Sequence, residues 1–249
     1  MSTVVLALVA GALTGLALGA LGGGGSVLSV PALIYLLGFD PAAATTASLV
    51  VVVLTSLTAL VGHAREGRVD WRTGALFAVA GLGPAVLGGM LSARLPAALL
   101  TGAFAVVAAV AALRMLRSSA TEPTGTTVRA GRVATAGAGL GAVTGVLGVG
   151  GGFLAVPALV HSVGLRMRIA VGTSLLVITV NSLVALVGRA GAEVIVDWAR
   201  VAPFAAAAVL GAWDGRRLAE KLSTEALQRI FAWALLGVSV FMLADAVPL

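Results

Sequence analysis

The sequence has no cysteine, one tyrosine and two histidines, and only 10% of its 249 residues are charged. The lack of cysteine excludes disulfide bonds, thiolate metal sites and cysteine nucleophiles. An average soluble domain has about 25% charged residues. Ten acidic and sixteen basic side chains are too few to cover a soluble surface of this size. The composition therefore indicates a protein that meets lipid rather than water.

Residues that could perform catalysis are equally scarce. No two carboxylates lie within one apolar run of the chain. The stretch GGSV at 24–27 lacks the second glycine of a nucleophile elbow, and no histidine is placed to act as its base. We therefore expect that the protein is not an enzyme, and we predict no catalytic residue, no metal site and no cofactor.

Apolar runs of about 15 to 20 residues recur along the chain, close to the ~20 residues that cross a bilayer as a helix. The net charge of +6 does not indicate nucleic acid binding here, because the basic residues fall in short loops between these runs. The first run has no basic segment before it and ends in glycines rather than at a cleavage site. We interpret it as a first membrane segment and not as a signal peptide.

The sequence contains a tandem duplication, which is the main fact about its organisation. Two Gly-rich stretches that end in Pro-Ala-Leu match at an offset of 126 residues, and further matches follow in the same order. One pair of similar apolar stretches means little, but three ordered pairs predict two repeats. The matching stretches are LGGGGSVLSVPAL (21–33) with LGVGGGFLAVPAL (147–159), ALVG (59–62) with ALVG (185–188), and VDW (69–71) with VDW (196–198).

The repeats predict an all-α polytopic membrane protein. Residues 1–117 form the first repeat, 118–132 a polar linker that we expect in the cytoplasm, and 133–249 the second repeat. Each repeat has five apolar segments, and the second segment of each is only about 13 residues long. The segments are Val4–Leu21, Val27–Phe39, Ala42–Gly62, Thr73–Leu91 and Ala97–Leu116, then Val133–Leu147, Phe153–Leu165, Ile169–Val187, Val201–Trp213 and Leu227–Val247.

Charge placement selects a topology for these segments. If the first two segments of each repeat enter and leave on the same side, thirteen Lys and Arg residues share one side, and Arg94, Arg189 and Arg200 lie on the other. If the two segments instead form one broken span, the split is seven against nine. The positive-inside rule favours the first arrangement. It gives inverted repeats with both termini on the non-cytoplasmic side of the cell membrane, and it leaves open whether each short Gly-tipped helix is re-entrant or half-length.

The two glycine blocks are the predicted substrate site. In an inverted repeat they approach each other from opposite sides near the bilayer midplane, where such transporters bind substrate between interrupted helices. Glycine lets the backbone turn and approach a ligand closely, and free N–H groups at the start of a short helix favour an anion. Pro31 and Pro157 lie about one turn into the short helices, where a missing N–H costs little. The alternative is that the glycines only permit close helix packing.

A second polar set lies in the third segments, where hydroxyl and amide groups can donate to an anion. For each hydroxyl alone, bonding to its own helix backbone is the favoured alternative. Asn181 is the exception, because an amide is costly at membrane depth. The predicted substrate-binding residues are Gly22, Gly24, Gly25, Ser26, Pro31, Thr46, Ser48, Gly148, Gly150, Gly151, Gly152, Pro157, Thr173, Ser174 and Asn181.

On these residues the chain resembles the TauE/SafE family of sulfite and organosulfonate exporters. The resemblance rests on the signatures at 22–31 and 148–157 and on AVGTSL at 170–175, and it covers essentially the whole chain. The first repeat departs from the pattern with ATTASL at 44–49 and with Ser26 where the second repeat has Gly152. The resemblance implies a carrier of sulfite or an organosulfur anion, and these departures imply that the two halves contribute unequally to the site.

Together these features predict transport of a small anion by alternating access at a midplane site. The alternatives are a passive anion channel and a membrane scaffold that does not transport. The predicted partners are the anionic substrate and the lipid bilayer, with no nucleic acid. A coupling proton or sodium ion and a homodimer are left open, as are the direction of transport and the identity of the anion.

Overall fold

The structure is a computed structural model that describes residues 2–22, 28–30, 32–92, 97–117, 129–147, 152–188 and 196–246. Within these ranges every regular element is a helix. We number the helices in chain order. They are α1 (Ser2–Leu21), α2 (Ala32–Leu36, a π-helical turn), α3 (Pro41–Arg65), α4 (Trp71–Ser92), α5 (Ala97–Arg117), α6 (Ala130–Leu147), α7 (Gly152–Pro157, continued as π-helix over Ala158–Val163), α8 (Met167–Gly188), α9 (Trp198–Lys221) and α10 (Thr224–Ala246).

The all-helical prediction is confirmed, and the helices coincide with the predicted apolar segments. The differences lie at the ends. Helix α9 continues to Lys221, well beyond the predicted end at Trp213, and α6 begins at Ala130, inside the predicted linker. Polar residues can continue the backbone hydrogen bonding of a helix. The apolar run that predicts a helix therefore gives only its minimum length. Of the described helices, α1, α3 and α8 contain stretches that are long and apolar enough to cross a bilayer: Val4–Leu21, Ala43–Arg65 and Met167–Val187.

The helices pack between the repeats more than within them. Helix α1 packs along α9, and its counterpart α6 packs along α4, the counterpart of α9. The third helices α3 and α8 pack against each other, as do the fifth helices α5 and α10. Exchanging the repeats therefore maps the main helix contacts onto themselves. This pattern agrees with the duplication read from the sequence and interlocks its two halves.

Glycine stripes make the closest of these contacts possible. Gly11, Gly15 and Gly19 lie four residues apart on one face of α1, and a Cβ atom at each would overlap the backbone carbonyl of Phe204, Ala208 and Ala212 on α9. Without side chains in the way, the two backbones approach closely and gain van der Waals contact, which is the main attraction between helices in lipid. Sequence reasoning missed this stripe, although its four-residue spacing was visible.

Glycines of α6 in the second repeat make the same kind of close contact with α4. A Cβ atom at Gly137 or Gly141 of α6 would overlap the backbone carbonyl of Phe77 or Gly81 on α4. Gly137 and Gly141 correspond to Gly11 and Gly15 at the repeat offset of 126 residues. These glycines lie inside helices, and they allow close helix packing of the kind that was the alternative interpretation for the glycine blocks.

We predict that Gly15→Leu and Gly141→Leu each destabilise the protein, because the new side chain must push two helix backbones apart. Overpacking costs roughly 1–3 kcal/mol or more, so we expect the apparent melting temperature to fall by about 5 °C or more. The measurement is thermal unfolding in detergent, followed by size-exclusion chromatography. Gly83→Leu is the matched control, because a Cβ atom at exposed Gly83 meets nothing within 4 Å. Equal stability of Gly15→Leu and Gly83→Leu would contradict the prediction.

Candidate functional site

The third helices of the two repeats, α3 and α8, form the centre of the described fold. Helix α3 also contacts α1, α2 and α9, while α8 contacts α4, α7 and α10. Buried hydroxyls lie along the pair, although the helices are apolar overall. These hydroxyls are on Ser48, Thr55 and Ser56 of α3 and on Thr173, Ser174, Thr179 and Ser182 of α8. We treat the α3–α8 contact as the core of the candidate site.

One hydrogen bond joins the two helices directly. Ser56 Oγ and Thr179 Oγ1 are 2.9 Å apart, and both side chains are buried. Thr179 was not among the residues predicted from sequence, because its counterpart in the first repeat is Val53 and the repeat comparison gave no signal there. The bond links α3 to α8, although each hydroxyl also lies within hydrogen-bond distance of a carbonyl oxygen of its own helix, that of Val53 for Ser56 and that of Leu175 for Thr179.

Several hydroxyls donate to their own helix, as the alternative interpretation predicted. Ser48 donates to the carbonyl oxygen of Thr45 at 2.8 Å, and Ser174 donates to that of Val171 at 2.7 Å. Thr179 likewise donates to the carbonyl oxygen of Leu175. A hydroxyl has one proton to donate, so in this arrangement these oxygens can accept hydrogen bonds but cannot donate to an anion. Ser48 and Ser174 can bind an anion only after their hydroxyls rotate.

Thr173 makes a contact that was not predicted from the sequence. Its Oγ1 accepts a hydrogen bond from the backbone N–H of Asp70 at 3.0 Å. Asp70 in turn caps α4, because its carboxylate accepts from the backbone N–H and the hydroxyl of Thr73. Nearby, a Cβ atom at Gly172 would overlap the backbone carbonyl of Arg68. Thr173 therefore holds the start of α8 against the α3–α4 connection.

A cluster of three charged side chains lies at the same connection. Glu66 forms salt bridges with Arg68, at 2.8 Å, and with Arg216 of α9. The Arg216 guanidinium also lies 5.3 Å from the centre of the Trp213 ring, and a Cβ atom at Gly62 would lie 2.6 Å from Arg216 Cδ. Two cations thus share one carboxylate in the Glu66 cluster (Glu66, Arg68 and Arg216).

The start of the first glycine block lies beside the second repeat. Gly22 ends α1 with a φ of +73°, a conformation that residues with a Cβ atom adopt at a cost. A Cβ atom there would lie 2.6 Å from Ser174 Oγ and 3.2 Å from both Val156 Cγ2 and the Val171 carbonyl oxygen. The structure thus brings together Gly22, the short helix α7 and the early part of α8.

The other predicted residues fall into four groups. Gly152 begins α7 and Pro157 is its last α-helical residue, where π-helix begins, and both are buried. Thr46 is half-buried near the start of α3. Asn181 lies seven residues beyond Ser174, which is about 10 Å along the helix, and is therefore not adjacent to Gly22. The remaining predicted residues lie outside the described part of the chain: Gly24, Gly25, Ser26, Pro31, Gly148, Gly150 and Gly151.

Asn181 differs from the buried hydroxyl residues in its hydrogen bonding. Its Oδ1 atom is buried and has no hydrogen-bond partner among the described residues. A buried amide oxygen usually accepts a hydrogen bond, so this one can accept from an N–H or O–H group of a ligand, whereas contact with an anion would use the amide N–H₂ group. Within the same ranges, no three His, Asp or Glu side chains lie close enough to form a metal site.

Comparison with known proteins identifies the family. The family model described as "Sulfite exporter TauE/SafE" matches residues 7–242. The chain belongs to the TauE/SafE family. It is 33% identical to a "Probable membrane transporter protein" of Xylella fastidiosa (strain 9a5c), over 97% of this chain and 95% of the relative. It is 25% identical to the "Probable membrane transporter protein YunE" of Bacillus subtilis (strain 168), over 98% and 97%.

Membership in TauE/SafE confirms the resemblance seen in the sequence and makes this chain a multi-pass transmembrane transporter. The match covers both repeats and every helix that contributes to the candidate site. It agrees with the expectation that the protein transports rather than catalyses. The role of each predicted site residue stays a prediction.

We predict that Gly22→Ala destabilises this TauE/SafE protein more than Gly38→Ala does. Both glycines have a positive φ, of +73° and +68°, so alanine is strained by roughly 1–2 kcal/mol at either position. Only Gly22 also has Ser174 within contact distance, whereas a Cβ atom at Gly38 meets nothing within 4 Å. Thermal unfolding in detergent measures the difference. Adding Ser174→Ala should recover part of the loss in Gly22→Ala, and failure to do so would contradict the described contact.

We further predict that Thr173→Val lowers the free energy of unfolding by about 1–3 kcal/mol, because the Asp70 N–H loses its acceptor. Thr173→Ser keeps the acceptor oxygen and should be near wild type in the same thermal unfolding measurement. If valine and serine variants are equally stable, the hydrogen bond does not stabilise the fold.

Proposed function

We propose that this transporter carries sulfite or another small organosulfur anion across the cell membrane, by alternating access around a site between its two repeats. The observation that carries the site is the approach of Gly22 to Ser174 and Val156, because it joins a glycine block of one repeat to the short helix and third helix of the other. The family description, which names sulfite, supports the choice of substrate.

The chemistry of the α3–α8 contact supports a weakly held anion. Its buried polar side chains are hydroxyls and the imidazole of His63, with an amide at Asn181, so no carboxylate among them repels an anion. An amide N–H₂ group and backbone N–H groups at interrupted helices can donate to sulfite oxygens without a buried positive charge. Moderate binding suits a carrier, since a tightly bound substrate leaves slowly.

The interlocked packing supports a rocking mechanism. Helix α1 moves with α9 and α6 moves with α4, because the glycine stripes bind each pair closely. The contact between α3 and α8 includes the Ser56–Thr179 hydrogen bond but, among the described residues, no glycine stripe of this kind. We propose inverted repeats with both termini outside the cytoplasm, in which one bundle rocks against the other around this contact.

The test is uptake of radiolabelled sulfite and small sulfonates into proteoliposomes. We predict saturable uptake in wild type and roughly a tenfold or larger rise in KM, or loss of uptake, in Asn181→Leu, because the leucine removes the amide donor and is similar in size. Thr58→Val is the control: it also removes a hydrogen-bonding group, but the Thr58 hydroxyl donates to its own helix at Leu54 and the site is exposed. Equal KM values in wild type and Asn181→Leu would remove Asn181 from the site.

Two further arms separate the alternatives. Counterflow, in which internal unlabelled sulfite accelerates uptake of labelled sulfite, occurs in a carrier but not in a passive channel. A Gly24→Leu/Gly151→Leu double variant that inserts normally should lose uptake if the glycine blocks bind the anion. Absence of flux in wild type under every ion gradient would favour a scaffold or another substrate class.

A further inference from the structure

A crevice with a volume of about 420 Å³ lies between α5, α6 and α7, apart from the α3–α8 contact. Its volume is in the range of small-molecule sites. Arg114, His161 and Ser162 line it together with apolar residues. All three of these polar side chains are exposed, as is the apolar rim formed by Val110 and Val143. In a membrane, an exposed apolar rim faces lipid, so the crevice opens toward the bilayer.

The polar and apolar residues of this crevice occupy different depths. Arg114 lies three residues before the end of α5, and His161 lies two residues before the end of the π-helical extension of α7. The apolar lining residues Val107 of α5 and Leu154 of α7 lie seven residues further in on their helices. Seven residues are about 10 Å of α-helix. The crevice therefore has a cationic mouth near the membrane surface and an apolar interior.

None of the described carboxylates forms a salt bridge with Arg114, so the charge of Arg114 at the mouth is not neutralised within the described part of the chain. The corresponding position in the other repeat, at the offset of 127 residues that aligns Phe104 with Phe231, is Phe241, and His161 corresponds to Tyr35. The position related to this one by exchange of the repeats therefore lacks both residues, so the cationic mouth does not follow from the duplicated architecture.

We propose that this crevice binds an anionic phospholipid of the surrounding bilayer. Arg114 donates paired hydrogen bonds to the phosphate, since a guanidinium matches two phosphate oxygens. His161 and Ser162 add donors at the same level, and the acyl chain lies against Val107, Val110 and Leu154. An amphipathic anion fits this arrangement better than a small soluble one, because most of the lining is apolar.

A lipid bound in this crevice would contact α7, the short helix that also lies beside Gly22 in the candidate transport site. Leu154, Pro157 and His161 of α7 line the crevice, while Val156 of the same helix lies near Gly22. The short helix therefore separates the lipid crevice from the contact between Gly22 and Ser174. Lipid binding in this crevice does not depend on which substrate the protein transports.

The test is native mass spectrometry of the full chain in detergent, titrated with phosphatidylglycerol or phosphatidylcholine. Wild type should retain one phosphatidylglycerol with roughly tenfold higher affinity than phosphatidylcholine, and Arg114→Gln should lose this preference. Arg117→Gln is the matched control. It removes the same charge three residues further along α5, where the exposed side chain does not line the crevice. Unchanged preference in Arg114→Gln, or an equal loss in Arg117→Gln, would overturn the proposal.

A second pair of variants covers the case in which Arg114→Gln does not fold. A Cβ atom at crevice-lining Gly139 meets nothing within 4 Å, so Gly139→Leu can fill the crevice without a backbone clash, and it should exclude the lipid. Gly83→Leu, on α4 and outside the crevice, should bind as wild type. If inorganic phosphate displaces phosphatidylglycerol at equal concentration, the site takes a soluble anion and the lipid proposal is wrong.

Discussion

Close packing of glycine stripes against helix backbones is the constraint on which the rest of this structure depends. In lipid, apolar side chains gain little by leaving their surroundings, so helices associate through van der Waals contact at short distance. Gly15 on α1 and Gly141 on α6 provide that contact with α9 and α4. Because each pair joins one repeat to the other, the duplication produces a single interlocked bundle. The α3–α8 contact is then enclosed between the two pairs.

This enclosure explains how an apolar chain keeps polar groups at its centre. The hydroxyls of Ser48 and Ser174 are satisfied by their own helices, so their burial costs little. Thr173 is satisfied by the Asp70 backbone and stabilises a helix connection. Asn181 differs from these residues, because its Oδ1 atom has no partner in the described ranges. That unused capacity is an acceptor's, so an anion at this position would be bound through the amide N–H₂ group instead.

The two repeats share an architecture but differ in chemistry. The Glu66 cluster joins α3 to α9 and includes Arg216, whose counterpart in the first repeat is Gly89. The crevice beside α7 has Arg114 where the other repeat has Phe241. The repeats therefore share their main helix contacts but differ in where they carry charge. Such asymmetry suits a transporter whose two membrane faces meet different lipids and solutions.

The sequence by itself determined the all-helical class, the positions of the helices, the duplication and the family. It could do so because apolar runs, glycine blocks and a repeat offset are properties of the chain read in order. The tertiary structure alone decided that Ser48 and Ser174 donate to their own helices, that Gly22 lies beside Ser174, and that Thr179 of α8 meets Ser56 of α3. These facts depend on rotamers and on how helices cross, and residues more than 100 positions apart meet only when the bundle closes.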